Sequence, residues 1–263
     1  MCVYAKEYHL YLSQCLDSVL NQSVLPDEFV IVKDGPLTAD LERVLGDFRF
    51  PNALKVIALP ESVTQGPARA HGLNAASHEW VAIMDSDDIC RPDRFEKQCK
   101  MIKSDPELGL IGGQIAEFLD DPEYVIASRA VPASHKEIVS FAKKRNPFNQ
   151  MTVMLKRTLA LEAGNYTYFP WFEDYDLWAR MIKSGALCAN HPDVLVNARV
   201  GSGMYSRRRG TSYIRSEWQM QRQLLKLGLI GILRFAINVA LRIPIRLLPE
   251  KHLAKIYKRY ARN

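Results

Sequence analysis

The sequence predicts an α/β fold, a doubly wound and mostly parallel sheet flanked by helices, with a helical tail at the C-terminus. Three observations carry that expectation. Short apolar runs alternate with helical patterns over about the first 110 residues. The run Val81-Ala82-Ile83-Met84 passes directly into Asp85-Ser86-Asp87-Asp88, the signature of a buried strand ending in a polar site. Residues 207–263 are basic and apolar together, unlike the body that precedes them.

In order, Met1 to Tyr4 is a stub of a strand, and Leu12, Leu16, Val19 and Leu20 share one face of a helix over 10–20. Phe29 to Val32 is a second strand, closed by the turn Lys33-Asp34-Gly35-Pro36. Leu54 to Leu59 is a third strand, stopped by Pro60. Gln65-Gly66-Pro67 opens a helix through Ala76, with Pro67 suited to the first helical position. Val81 to Met84 is the fourth strand. Beyond it come a helix over 95–104, a short buried strand over 108–112 and a hairpin or loop over 120–132. Ser134 and Glu137 form a capping-box pattern that starts a helix ending near Lys144. A strand over 151–155, a helix opened by Phe172-Glu173-Asp174 and stopped by Gly185, and a last strand over 194–200 complete the body.

Two acidic clusters stand out, about ninety positions apart. Asp85, Asp87 and Asp88 follow the apolar strand, at the end where open α/β sheets bind ligands. Three crowded carboxylates repel one another unless a cation sits among them, and such oxygen sets suit Mg²⁺ or Mn²⁺ holding a phosphate-bearing substrate. An EF-hand is excluded, because Ile89 and Cys90 occupy places that need a ligand and a glycine. A phosphatase with a nucleophilic Asp in an Asp-x-Asp motif is an alternative, although that motif belongs on a first strand and three strands precede this one. Glu173, Asp174 and Asp176 form the second cluster. Acids at a helix start are also common capping groups. Here Trp171, Phe172, Tyr175 and Trp178 surround them, and aromatic faces beside carboxylates suit sugar rings. An ionised carboxylate at this place is able to accept a hydroxyl proton. Gly66 to Gly72 leaves free N–H groups at a helix start for a diphosphate, with Arg69 adding a cation; His71 is read as a helix-surface residue.

Composition bounds the rest. Hydrophobic residues at 48% and charged residues at 24% are those of a soluble globular chain. Five cysteines, an odd set with no CxxC pair, argue against a disulfide frame or a zinc site and for reduced thiols. The N-terminus lacks a basic-then-apolar leader pattern, so the expected location is cytoplasmic. The net charge of +6 hides a split: residues 207–263 hold 14 Lys and Arg against Glu217 and Glu250, while the first 206 residues hold 21 against 27 acids. A basic tail on an acidic body implies an anionic surface as partner.

Taken together, the segments Val3-Tyr4, 12–22, Val30 to Pro36 (VIVKDGP), Gly66 to Gly72, Met84 to Glu96 (MDSDDICRPDRFE), Asn146 to Leu155 (NPFNQMTVML) and Phe172 to Trp178 (FEDYDLW) resemble the family 2 glycosyltransferases. The resemblance is especially close to the single-domain bacterial enzymes of exopolysaccharide and O-antigen assembly. It implies the GT-A fold with its Rossmann-like sheet, and inverting transfer from a nucleotide-diphosphate sugar. It also implies roles at matching positions. Tyr4 stacks on the donor base, Asp34 accepts a hydrogen bond from it, and Arg69 lies near base and phosphates. Asp85 contacts the ribose, Asp87 the metal, with Asp88 close by; Asp174 is the general base and Glu173 orients it or the acceptor. The departures are a very short first strand, Gln150-Met151 in place of a frequent His-Pro, Ala70 in place of Asn, and no Gln-x-x-Arg-Trp segment, which favours one sugar per encounter.

The tail over 224–248 is apolar but interrupted by Lys226, Arg234, Arg242 and Arg246, too charged to span a membrane. It fits a basic amphipathic helix lying at a membrane surface, with arginines snorkelling to head groups. Its apolar content argues against nucleic acid; packing on the catalytic body is the other alternative. Arg207-Arg208-Arg209 is a candidate contact for donor or acceptor phosphates. The expectation is a catalytic domain over 1–206 and a membrane-associating tail over 207–263. The enzyme is then a Mn²⁺- or Mg²⁺-dependent transferase, peripheral on the inner face of the cell membrane. Its donor is UDP-, dTDP- or GDP-linked and its acceptor a glycan or lipid-linked glycan. A non-catalytic partner of a glycan assembly complex is the alternative from another class.

Overall fold

The computed structural model describes residues 1–201 and 209–247. β1 (Cys2–Tyr4), β2 (Glu28–Asp34) and β3 (Ala53–Ala58) form a three-stranded parallel sheet in that order. Parallel strands need crossovers, and α1 (His9–Leu20) and α2 (Ala39–Asp47) supply them. Leu12, Leu16 and Val19 are buried on α1, as their spacing predicts. α2 has no counterpart in the sequence reading; Thr38 caps it by accepting from the Leu41 N–H. α3 (Gln65–Ala75) follows, on a Thr64 held at φ 73°.

The second sheet holds β4 (Trp80–Ala82), β5 (Ile89–Cys90), β6 (Leu108–Phe118), β7 (Ala127–Arg129), β8 (Met154–Lys156) and β9 (Leu187–Arg199). Its order is β4-β8-β6-β9-β5, with β7 on the edge of β6. Only β6 and β9 are parallel; the other pairings are antiparallel. The strand expected over 81–84 is thus β4, and it pairs with β8, a partner more than seventy positions away that local pattern cannot specify. β6 and β9 are much longer than expected. Their extension rests on Gly112 and Gly113, where a Cβ would stand 2.5 Å from Asn190 Oδ1 and from Leu195 Cδ1 respectively. The register shifts beside Gly113, bending the ladder over the core.

α4 (Arg94–Ser104) and α5 (His135–Ala142) match the expected helices, and α5 carries the Ser134–Glu137 capping box. α6 (Arg157–Glu162) is short, and α7 (Glu173–Lys183) buries Tyr175, Trp178 and Ile182 at helical spacing. Trp178 is fully buried, edge-on to Phe148 and Tyr166 at 6.0 Å each.

The tail begins with α8 (Gly210–Lys226) and α9 (Ile232–Arg242). Tyr213, Met220, Leu224 and Ile230 share one apolar cluster with Phe172, Tyr175 and Ala179 of the body. Glu217 is fully buried and pairs with Arg242 at 2.6 Å and Arg246 at 3.3 Å. These two arginines therefore turn inward, not to head groups. Asn238 donates to the Lys143 carbonyl, fixing α9 to the end of α5. Ile232, Leu233, Arg234 and Leu241 stay exposed on the other face of α9.

Candidate active site

Arg69 organises the centre of the molecule. From the first turns of α3 it donates through Nη2 to Asp85 Oδ1 and through Nη1 to Glu173 Oε1, both at 2.7 Å. One guanidinium thus joins the two acidic clusters. The side chain is nearly buried, and despite that burial the two carboxylates raise its pKa above the ordinary value. α3 approaches closely because residue 66 is glycine: a Cβ there would lie 2.2 Å from the Thr167 carbonyl oxygen and 3.2 Å from Glu173 Cβ. Gly66 is buried, so its service is this close packing and not an open phosphate cradle. His71 is exposed on α3, as expected.

The acidic turn hangs from β4. Ser86 donates to Glu7 Oε2 at 2.8 Å, bringing a further carboxylate to the site. Among the described residues the Asp87 side chain makes no ion pair. Burial, then Glu7 and Asp85, push its carboxyl up to about 7. Asp88 is turned away: it is buried and accepts the Arg199 N–H at 2.7 Å. Burial first, then Asp87 and Asp85, raise its pKa well above the usual range. Arg199 locks the turn. It donates through Nε to the Asp87 carbonyl and through Nη2 to Gln14, and stacks on Tyr11 at 3.9 Å and Phe118 at 4.5 Å.

This donor set suits a divalent ion. An uncompensated carboxylate held against two others is what a hard cation would relieve. Among the described residues no three His, Cys, Asp or Glu side chains form a closed cage. That pattern matches ions held by one or two carboxylates and completed by phosphate oxygens.

Asp174 stands in the first turn of α7. Its Oδ2 accepts Asn146 Nδ2 and its Oδ1 accepts the Tyr175 N–H, both at 2.6 Å. Burial raises its pKa, opposed by the Tyr175 N–H, Arg69 and Asn146. Glu173 is likewise raised by burial, against the pull of Arg69. Arg129 of β7 holds the Asn146 loop by donating to the carbonyls of Asn146 and Phe148. Tyr166 lies close enough to feel Arg69 and Asp174, and accepts from Gln150 at 3.2 Å.

At the other end, Tyr4 and Asp34 are register partners at the ends of β1 and β2. Tyr4 is exposed. Asp34 is buried; it accepts from the Val63 N–H at 2.6 Å and from Ser62 at 2.9 Å, clamping the loop that leads to α3.

The aromatic setting differs from expectation. Phe172, Tyr175 and Trp178 are core residues, and only Trp171 of that group is exposed, held at φ 71° against Tyr213. Asp176 pairs with Arg180 inside the fold. Glu7, Tyr166 and Arg199 enter the site with no functional sign in the sequence reading, and Asn146 is marked there only as the first residue of a segment that resembles the family. Arg207 and Arg208 lie outside the described residues.

Residues 1–164 match the description Glycosyl transferase family 2, and the chain belongs to that family. It is 38% identical over 259 residues to the amylovoran biosynthesis glycosyltransferase AmsE of Erwinia amylovora, covering 98% of this chain and 96% of that one. It is 32% identical over 263 residues to UDP-Gal:alpha-D-GlcNAc-diphosphoundecaprenol beta-1,3-galactosyltransferase of Escherichia coli, covering 100% and 95%. The mannosyltransferase PcManGT of Pyrobaculum calidifontis, solved with GDP-Man and Mn²⁺, shares the GT-A fold: TM-score 0.67 at 18% identity, over 99% of this chain and 74% of that one. The protein is therefore a glycosyltransferase with an α/β GT-A fold.

Proposed function

We propose that the protein transfers a sugar, with inversion, from a nucleoside-diphosphate sugar to a hydroxyl of a lipid-linked glycan during cell-surface polysaccharide assembly. The observation that carries this reading is the Asp85–Arg69–Glu173 bridge, which sets the acidic turn and the Asp174 helix one guanidinium apart. Tyr4 stacks on the base, and the clamp made by Asp34 shapes the loop beside it. Asp85, oriented by Arg69, meets the ribose, while Asp88 and Arg199 hold the turn in place. Asp174 takes the acceptor proton as the hydroxyl oxygen bonds to the anomeric carbon; the carbon–oxygen bond to the diphosphate breaks, and its electron pair leaves with the nucleotide. Mn²⁺ or Mg²⁺, when held by Asp87 with Asp85 beside it, offsets charge on that leaving group. Glu173 keeps Arg69 and the base helix aligned. The lipid-diphosphate acceptor named for the Escherichia coli relative supports the acceptor class, and the Mn²⁺ of the mannosyltransferase supports the ion.

A panel of UDP-, dTDP- and GDP-sugars, with and without Mn²⁺, tests the reading. Metal-stimulated nucleotide release from one donor is expected; a phosphoenzyme on Asp85, or no release from any donor, overturns it. Asp87→Asn is expected to abolish Mn²⁺ binding measured by calorimetry. The same change should raise the metal-free Tm at pH 8 by several degrees. A carboxyl whose folded pKa is raised favours folding when protonated, so its ionised form costs stability as pH rises from 3.8 through about 7. At pH 5 the Tm gain should shrink.

No helix among the described residues is long and apolar enough to cross a membrane. The outer face of α9, with Ile232, Leu233 and Leu241 beside Arg234, supports peripheral attachment to the inner face of the cell membrane. The triple variant Ile232→Asp, Leu233→Asp, Leu241→Asp is expected to cosediment at least tenfold less with phosphatidylglycerol vesicles. Its turnover of a water-soluble acceptor should be unchanged.

A further inference from the structure

A helix end leaves its last carbonyls without partners inside the helix. At the end of α5 three consecutive carbonyls find partners in side chains of distant elements. The Tyr175 hydroxyl of α7 donates to the Ala142 carbonyl. Asn238 Nδ2 of α9 donates to the Lys143 carbonyl at 2.9 Å, and Arg242 Nη1, one turn further along α9, to the Lys144 carbonyl at 2.8 Å. Just beyond, Arg129 Nη2 donates to the Asn146 carbonyl at 2.7 Å. The turn over 142–146 is thus held from α7, α9 and β7 at once.

Asn146 ends this turn. Its Nδ2 donates to Asp174 Oδ2 at 2.6 Å, while its amide oxygen accepts the Phe148 N–H at 3.2 Å, which fixes the end of the amide that faces the carboxylate. Among the described residues this is the one side-chain hydrogen bond to Asp174. The two α9 residues are themselves fixed from behind. Glu217 of α8, fully buried, accepts from Arg242 Nε at 2.6 Å and Nη2 at 3.0 Å, and from Gln221 at 3.3 Å. Gln221 in turn accepts from Asn238 Nδ2 at 2.8 Å. A continuous line therefore runs from Glu217 through Asn238 and Arg242 to the turn, and through Asn146 to the carboxylate. Displacing a reacting group by about 1 Å costs on the order of 10²-fold in rate, so such a line bears on turnover.

We propose that Asn238 and Arg242 are positioning residues for the transfer: they hold the 143–146 turn so that Asn146 keeps the Asp174 carboxylate aimed at the acceptor hydroxyl. The inference rests on the proposed role of Asp174 as general base. It makes α8 and α9 part of the catalytic unit as well as an attachment. The titratable groups facing Asp174 are Arg69 of α3, Arg129 of β7, Tyr166, and Glu173 and Tyr175 of its own helix. The Asn146 bond favours the ionised carboxylate, as do Arg69 and Arg129. A slack turn therefore raises the Asp174 pKa, and the acid limb of kcat/KM moves to higher pH.

The test compares Asn238→Leu and Arg242→Lys with wild type in steady-state kinetics across pH. Arg242→Lys keeps a cation against buried Glu217 and so keeps the fold, but a single ammonium lacks the fork that also reaches the Lys144 carbonyl. Both variants are expected to lower kcat at least about tenfold, with donor KM within about twofold. Both should move the acid limb up by about half a pH unit. Leu41→Ala, in the other core cluster under α2, is the control for lost stability: its limb is expected to stay in place however far its Tm falls. An unmoved limb or an unchanged kcat in either variant, beside an Asp174→Asn enzyme that has lost the limb, overturns the positioning role and leaves the base assignment standing. A limb that persists in Asp174→Asn removes the base assignment, and this inference with it. A limb that Leu41→Ala moves equally assigns the effect to stability and also overturns the proposal.

Discussion

Asp174→Asn is expected to lower kcat by about 10²–10⁴-fold, the contribution of a positioned general base. Donor KM should move less than threefold, because the nucleotide end of the site is untouched. The fold should survive. Asn146 and the Tyr175 N–H each donate to one carboxylate oxygen, and an amide keeps one of those two acceptors. The loss of one hydrogen bond costs about 1 kcal/mol. Burial raises the Asp174 pKa, so wild-type kcat/KM should fall as pH drops through a value above 3.8, the ordinary carboxyl. The residual rate of Asp174→Asn should lack that acid limb. A variant that keeps wild-type kcat, or keeps the limb, would remove Asp174 from the role of base. Glu173→Gln makes the contrast. It leaves Asp174 in place but weakens the charge pairing of Arg69, so its loss should be smaller and should fall on both kcat and KM.

The parts of the site legible in the sequence are those carried on consecutive residues. Asp85, Asp87 and Asp88 follow an apolar run, and Glu173 and Asp174 open a helix; both contexts are local. Arg69 is marked as a cation at the helix start and, by family resemblance, as near the donor; its bridge between the two acidic clusters is not marked, because its partners lie 16 and 104 positions away. Tyr166 and Arg199 are single polar residues whose partners are set by packing, and no window around them carries a sign; Asn146 opens a segment that only the family resemblance marks. The aromatic residues near Asp174 show the opposite error. Phe172, Tyr175 and Trp178 recur at three-residue spacing, the stripe of a buried helix face, and that periodicity outweighs their chemistry. The tail repeats the lesson. Arg242 and Arg246 lie four apart, on the same side as Asn238, and that side faces Glu217 and the body. The strand partners of β4 and the length of β9 were hidden because pairing is non-local and rests on two glycines that admit Phe148 and Leu195.

Arg69→Ala should have the largest combined effect. Without the guanidinium, Asp85 and Glu173 face each other with no cation between them. Breaking a largely buried ion pair by removing one partner costs about 3–5 kcal/mol. For a chain of this size each kcal/mol shifts Tm by roughly 2–4 °C, so a fall of about 10 °C is expected at pH 7.5. The sign of its pH dependence is fixed by the carboxylates. Burial already raises the Glu173 pKa against the pull of Arg69, and losing the cation raises it further, so the variant regains more stability than wild type as pH falls and Glu173 takes up a proton. The Tm gap between the two proteins should therefore narrow from pH 7.5 to pH 5. Arg69→Lys separates charge from geometry. A single ammonium restores much of the stability, but it lacks the fork that reaches both acids at 2.7 Å, so activity should stay at least tenfold down. If Arg69→Lys were fully active, bridging would not be what aligns the acidic turn with the Asp174 helix. If Arg69→Ala kept its Tm, the two carboxylates would not be sharing a buried cation.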